Sequence, residues 1–156
     1  MKYLSIIAIA ILCLCACKSD PTSDYTTLDL LQYGMPIDVA APDSAVVKSS
    51  DLGVMKDVTV TGQDGYAVQI FSSDATTTDP VSVKNGLLSD VKAGTYFSKI
   101  VEEYEHGFIF EKKIGERINY DFRFVKLQAD KEYTFQTALL GTFSEEQVRT
   151  MYESVQ

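Results

Sequence analysis

The sequence predicts an α+β fold: one antiparallel β-sheet covered by two helices, an α/β/α-type sandwich, in a single domain over residues 28–156. Three observations carry this. Strand-like stretches with period-two alternation dominate from Leu28 onward. Two helical stripes interrupt them, one in mid-chain and one at the end. The turns between strands are short and each holds Gly or Asp, which favours hairpins over crossovers.

The elements follow in order. Lys18 to Thr27 is polar and without apolar period, so it reads as a flexible tether. Met35–Val39 and Ala45–Val47 are short apolar pieces around a Pro42-Asp43 turn signal. Asp57–Thr61 and Tyr66–Ile70 alternate, and Gly62-Gln63-Asp64-Gly65 between them tolerates positive φ, the mark of a hairpin. Ser73–Asp79 is a Thr- and Asp-rich loop. Asp79 caps a helix with Pro80 at its first position, Val83, Leu87, Leu88 and Val91 share a face, and Gly94 ends it. Strands are expected near Tyr96–Tyr104, Gly107–Ile114, Tyr120–Gln128 and Glu132–Leu139. In the third of these Tyr120, Phe122 and Phe124 face one way, with Tyr133 and Phe135 available to pair across. Asp121 and Arg123 face the other way beside Val125 and Leu127, so that face is only partly wet. Ser144 with Gln147 forms a capping box, Phe143 and Val148 a hydrophobic staple, and Val148, Met151, Tyr152 and Val155 the inward stripe of a last helix.

Ahead of the domain, Lys2 precedes an apolar run, Leu4–Ala16, broken only by Ser5. It is shorter than the roughly 20 residues that span a bilayer core. A charged start, a short apolar stretch and small residues at its end describe a secretory signal over residues 1–16. Leu14-Cys15-Ala16-Cys17 resembles the lipobox of bacterial lipoproteins. That resemblance implies acylation of Cys17, which becomes the first mature residue, and attachment to the membrane through that lipid. Residues 17–27 then form the lipidated cysteine and tether. Lys18 after the cysteine implies, by the sorting rule of that family, the outer rather than the inner membrane. Lys18-Ser19-Asp20 faintly resembles the export signal of Bacteroidetes surface lipoproteins, which leaves surface and periplasmic faces both open.

The net charge is −8. That argues against nucleic acid as a partner, since phosphate neutralisation needs clustered Lys and Arg. Cys13, Cys15 and Cys17 are the only cysteines, so the domain has no disulfide framework and no cysteine metal site. No cofactor is implied: glycines are isolated at turns, without a phosphate-binding pattern.

From about Gln32 to Val155 the chain also resembles the Mog1/PsbP/DcrB-like fold. Tyr33-Gly34-Met35-Pro36-Ile37, the hairpin Tyr120–Leu139 and the terminal Met151-Tyr152-Glu153-Ser154-Val155 carry that likeness. The chain lacks the Trp that such domains often place in early strands. The resemblance implies a protein that binds rather than catalyses.

Chemistry is sparse. His106, the only histidine, sits beside Gly107 at a hairpin tip and reads as a solvated turn residue. Glu102, Glu103, Glu105 and Glu111, with Lys112 and Lys113, read as a charged hairpin that guards an edge. The rival reading makes Glu102–His106 the acid–base centre of a small envelope hydrolase. Asp74–Asp79 offers oxygens for calcium but lacks the EF-hand spacing. The reading preferred is an envelope lipoprotein acting as a non-catalytic binding or accessory module for a protein or small-ligand partner.

Cells fed a palmitate analogue should label the wild-type chain, and Cys17→Ala should abolish the label. Equal labelling of the two would contradict acylation at Cys17.

Overall fold

A computed structural model describes residues 21–156. The signal segment 1–16 and the lipid-attachment residue Cys17 lie outside the described residues. The chain is one α+β domain. Its strands are β1 (Tyr25–Asp29), β2 (Asp38–Pro42), β3 (Val46–Asp51), β4 (Lys56–Thr61), β5 (Ala67–Asp74), β6 (Phe97–Glu103), β7 (Gly107–Ile114), β8 (Arg117–Gln128) and β9 (Lys131–Thr137). Helix α1 (Pro80–Ala93) follows β5, and α2 (Glu145–Ser154) ends the domain. Strands β3-β4-β5-β9-β8-β7-β6 make a seven-stranded sheet, and β1-β2 a separate antiparallel ribbon.

Register decides which side chains meet. Val58 pairs with Ile70, Ile70 with Phe135, and Phe135 with Phe124. Ile109 pairs with Phe122. These residues form one face and a continuous core with Leu30, Met35, Ile37 and Val39 of the ribbon and its approach, and with Val148, Met151 and Tyr152 of α2. The aromatic pairing expected across β8 and β9 is present, with Phe124 and Phe135 ring centroids 5.5 Å apart. On the opposite face Phe108 and Phe110 pack with Leu88 of α1, and Leu87, Val91, Phe97 and Ile100 surround them.

The expected sandwich, a sheet covered by the two helices, is corrected here. Helix α2 shares its face with the β1–β2 ribbon. Helix α1 packs on β8 and β6, at one side of the other face. Toward β3 that second face carries a hydrogen-bonded polar ladder instead of a helix. Gln136 Nε2 donates to Gln69 Oε1 at 3.2 Å, and Gln69 Nε2 donates to Asp57 Oδ2 at 2.9 Å. Two helices of 14 and 10 residues are too small to roof seven strands on both sides.

The tether expected to run to Thr27 is overturned over its described part. Residues 21–24 form a turn and Tyr25–Asp29 form β1. The first helix begins as its cap requires: the Asp79 carboxylate accepts from the Val81 N–H at 3.0 Å, and Pro80 occupies the first helical position, while Gly94 follows its last turn in extended and not left-handed backbone. In the β4–β5 turn Asp64 and Gly65 take φ of 56° and 81°, the left-handed conformations that Asp and Gly tolerate.

The capping box is complete. The Gln147 N–H donates to Ser144 Oγ at 3.2 Å, and the Ser144 N–H donates to Gln147 Oε1 at 2.9 Å. Ser144→Ala should therefore cost about 0.5–2 kcal/mol in urea melts. Ser23→Ala, at an exposed turn position, should cost nothing measurable. Equal effects would contradict this placing of the helix start.

Candidate functional site

The acidic hairpin, expected to be a charged edge, is also where the rival hydrolase reading would place its acid–base centre. A register shift lies between Ile100 and Glu102 in β6. Beyond it, the neighbouring acids are held by different helices. Glu103 Oε1 accepts from Lys84 Nζ of α1 at 2.7 Å. Glu102 pairs with Arg149 of α2, which also bonds Glu145 at 2.9 Å. Since α1 and α2 pack on opposite faces, each carboxylate is drawn toward a different side of the sheet. The hydrogen bond and charge of Lys84 hold the Glu103 carboxyl below its usual range. The hydrogen bonds that Arg149 donates to Glu102 and Glu145 raise its guanidinium above its ordinary value.

The remaining candidates are equally committed. Glu111 accepts from Ser98 Oγ at 2.8 Å and from the Tyr120 hydroxyl at 3.3 Å, and pairs with Lys99 at 3.3 Å. These contacts, the Ser98 bond foremost, lower its carboxyl despite burial. His106 is 41% exposed and stands 3.9 Å from Glu105, too far for a hydrogen bond. At the tip, Gly107 has a packing reason. A Cβ there would meet the Arg123 carbonyl and the Tyr152 ring. Asp74 pairs with Lys131, while Asp79 caps α1. Among the described residues no group of three or more His, Cys, Asp or Glu could hold a metal ion.

A different constellation lies across the sheet, and Asp121 is its centre. The β8–β9 pairing runs only to Phe124–Phe135. Past that point Asp121 replaces the missing ladder bonds. Its Oδ1 accepts from the Thr137 N–H at 3.1 Å, from Thr137 Oγ1 at 2.7 Å and from the Phe122 N–H at 2.8 Å. Lys112 reaches Oδ2 at 2.9 Å and Arg123 reaches Oδ1 at 3.0 Å. The side chain is 5% exposed. Burial alone would raise its pKa. The charges of Arg123 and Lys112, with the hydrogen bonds from Lys112 and Thr137, outweigh burial and hold the carboxyl below its ordinary value.

The two cations also lie over the Phe110 ring, Lys112 Nζ at 5.9 Å and Arg123 Cζ at 5.3 Å from its centroid. With Leu87, Val91 and Phe97 they bound a shallow recess of about 380 Å³ between α1 and the sheet. That volume falls within the range of small-molecule pockets. Its lining mixes these apolar side chains with the charged Asp90, Lys112, Asp121 and Arg123.

Sequence reading placed Asp121 and Arg123 on the correct face but not together with Lys112. It also left Lys84 out of the inward stripe, although Lys84 stands four residues before Leu88 and is buried with it. That spacing was the available signal.

Comparison with family models, curated proteins and solved structures gives no match for this chain.

Removing the Asp121 carboxylate leaves two cations without their partner. Asp121→Ala should cost about 3–5 kcal/mol in denaturant melts. Because the folded pKa is lowered, its contribution is complete above the unfolded value of about 3.9 and fades as pH falls through the folded value. Asp121→Asn should therefore lose stability least at the acid end, when melts are compared between pH 6 and pH 2. A penalty independent of pH would contradict the charge account.

Proposed function

We propose that the chain is a membrane-anchored envelope lipoprotein, held through Cys17 at the outer membrane, and a non-catalytic binding or accessory module. The observation that supports this most is the contrast between its two charged regions. The acids of the β6–β7 hairpin are tied into ion pairs on opposite sides of the sheet. The recess under α1, by contrast, is lined by Leu87, Val91, Phe97 and Phe110 together with Lys112, Asp121 and Arg123. An apolar recess with a few placed polar groups suits recognition of an apolar group on a partner or ligand. The resemblance to the Mog1/PsbP/DcrB-like fold agrees with a binding role, as an analogy of fold only.

The test places a photo-crosslinking residue at Leu87 and, as control, at Val54, which is 91% exposed at the β3–β4 turn. In the native envelope, position 87 should yield a discrete adduct that Val91→Arg suppresses, and position 54 should not. Indistinguishable adducts at the two positions would contradict the reading. So would a hydrolytic turnover lost in Glu103→Gln or His106→Ala.

A further inference from the structure

We infer that one end of the sheet, the rim bearing Leu139, Leu140, Ile114 and Ile118, rests on the surface of the anchoring bilayer. This rests on acylation of Cys17.

Topology brings the relevant parts to one end. The β7–β8 turn follows Ile114, and Ile118 lies just inside β8. The connection from β9 to α2 is bound alongside. The Phe143 N–H donates to Asn119 Oδ1 at 2.7 Å, and the Tyr120 N–H donates to the Phe143 carbonyl. Leu139 and Leu140 in that connection are 77% and 91% exposed, and Ile114 and Ile118 are 45% and 49% exposed. Four large aliphatic side chains at one rim are a surface that water does not favour.

The place where the described chain begins supplies the occupant. Pro21 lines a recess with Asp64 of the β4–β5 turn and with Glu146 and Gln147 in the first turns of α2. The β4–β5 turn lies at the same end as the close of β9, because Val68 pairs with Thr137 and the Ala138 N–H donates to the Ala67 carbonyl. Cys17 precedes Pro21 by four residues. A chain of that length spans at most about 14 Å. An acyl group on Cys17 therefore holds this end, and not the opposite one, against the membrane. Lys113 and Arg117 are exposed beside the isoleucines and can reach headgroup phosphates while their stems lie along apolar surface. Asp24, Asp43, Asp64 and Glu146 border the same recess. Those acids oppose a strongly anionic surface, so the matching bilayer is zwitterionic.

The chain has no tryptophan, which makes a single introduced one a clean reporter. Mature acylated protein carrying Leu140→Trp, or Val54→Trp at the opposite end, is reconstituted into zwitterionic vesicles containing bromine-labelled phosphatidylcholine. Melting curves first establish that both variants fold. Leu140→Trp should be blue-shifted and quenched at least twofold more than Val54→Trp, and the difference should shrink in vesicles rich in phosphatidylglycerol. Equal quenching at the two positions overturns the inference. So does a blue shift at position 140 that depends on protein concentration and not on lipid, which would mark a second copy of the chain as the occupant. Flotation with the vesicles, and its loss in Cys17→Ala, reports the anchor separately. A chain that floats with position 140 unquenched refutes this contact and leaves the anchor standing. A chain that does not float refutes both.

Discussion

The buried carboxylate of Asp121 is the constraint on which the arrangement depends. Strands β8 and β9 stop pairing at Phe124 and Phe135, while β9 runs on beside β5 to Thr137. A break in the ladder exposes an amide donor inside the protein, which costs free energy unless something accepts from it. Asp121 accepts from both the amide and the hydroxyl of Thr137. Its own charge then needs compensation, because a lone buried carboxylate is costly. Lys112 and Arg123 provide it. The same two cations lie over Phe110 and line the recess beneath α1. One acid thus connects the parting of two strands, the approach to α2 and the chemistry of the recess.

The second constraint is the pair of helices on either side of β6. Lys84 and Arg149 take the adjacent acids Glu103 and Glu102. Both glutamates remain roughly half exposed, so solvent screens these pairs and each contributes little stability by itself. Their effect is geometric. Carboxylates that stand next to each other in sequence are kept apart. Tyr104 stacks on Tyr152 of α2, with ring centroids 4.5 Å apart, which fixes the hairpin against the core. An acidic hairpin that looks like an acid–base centre in sequence becomes a clasp between sheet and helices.

Much of the architecture was legible because local and long-range signals agreed. The Ser144–Gln147 box, the Asp79-Pro80 start and the alternation of Phe122 and Phe124 each name a side chain and the group it meets nearby. The strand β1 was not legible. Tyr25-Thr26-Thr27 is polar, and its pairing with Pro42-Ala41-Ala40 is a backbone interaction with little side-chain burial. The extent of helix coverage was equally hidden, since hydrophobic periodicity says that a helix packs but not where along the sheet. The Asp121 cluster joins residues from three strands by a register that no local pattern encodes. The register shift between Ile100 and Glu102 in β6 leaves no mark in composition.

Amide hydrogen exchange at Thr137 tests the central claim most directly. If Asp121 carries the ladder past its break, the Thr137 amide in the wild-type protein exchanges as slowly as that of Phe135 in the middle of β9. In Asp121→Ala, which removes the acceptor, under conditions where the chain stays folded, Thr137 should lose at least tenfold in protection while Phe135 keeps its own. A Thr137 amide that exchanges at the rate of the exposed 139–142 connection in the wild-type protein would contradict the account. So would one whose protection is unchanged by the substitution.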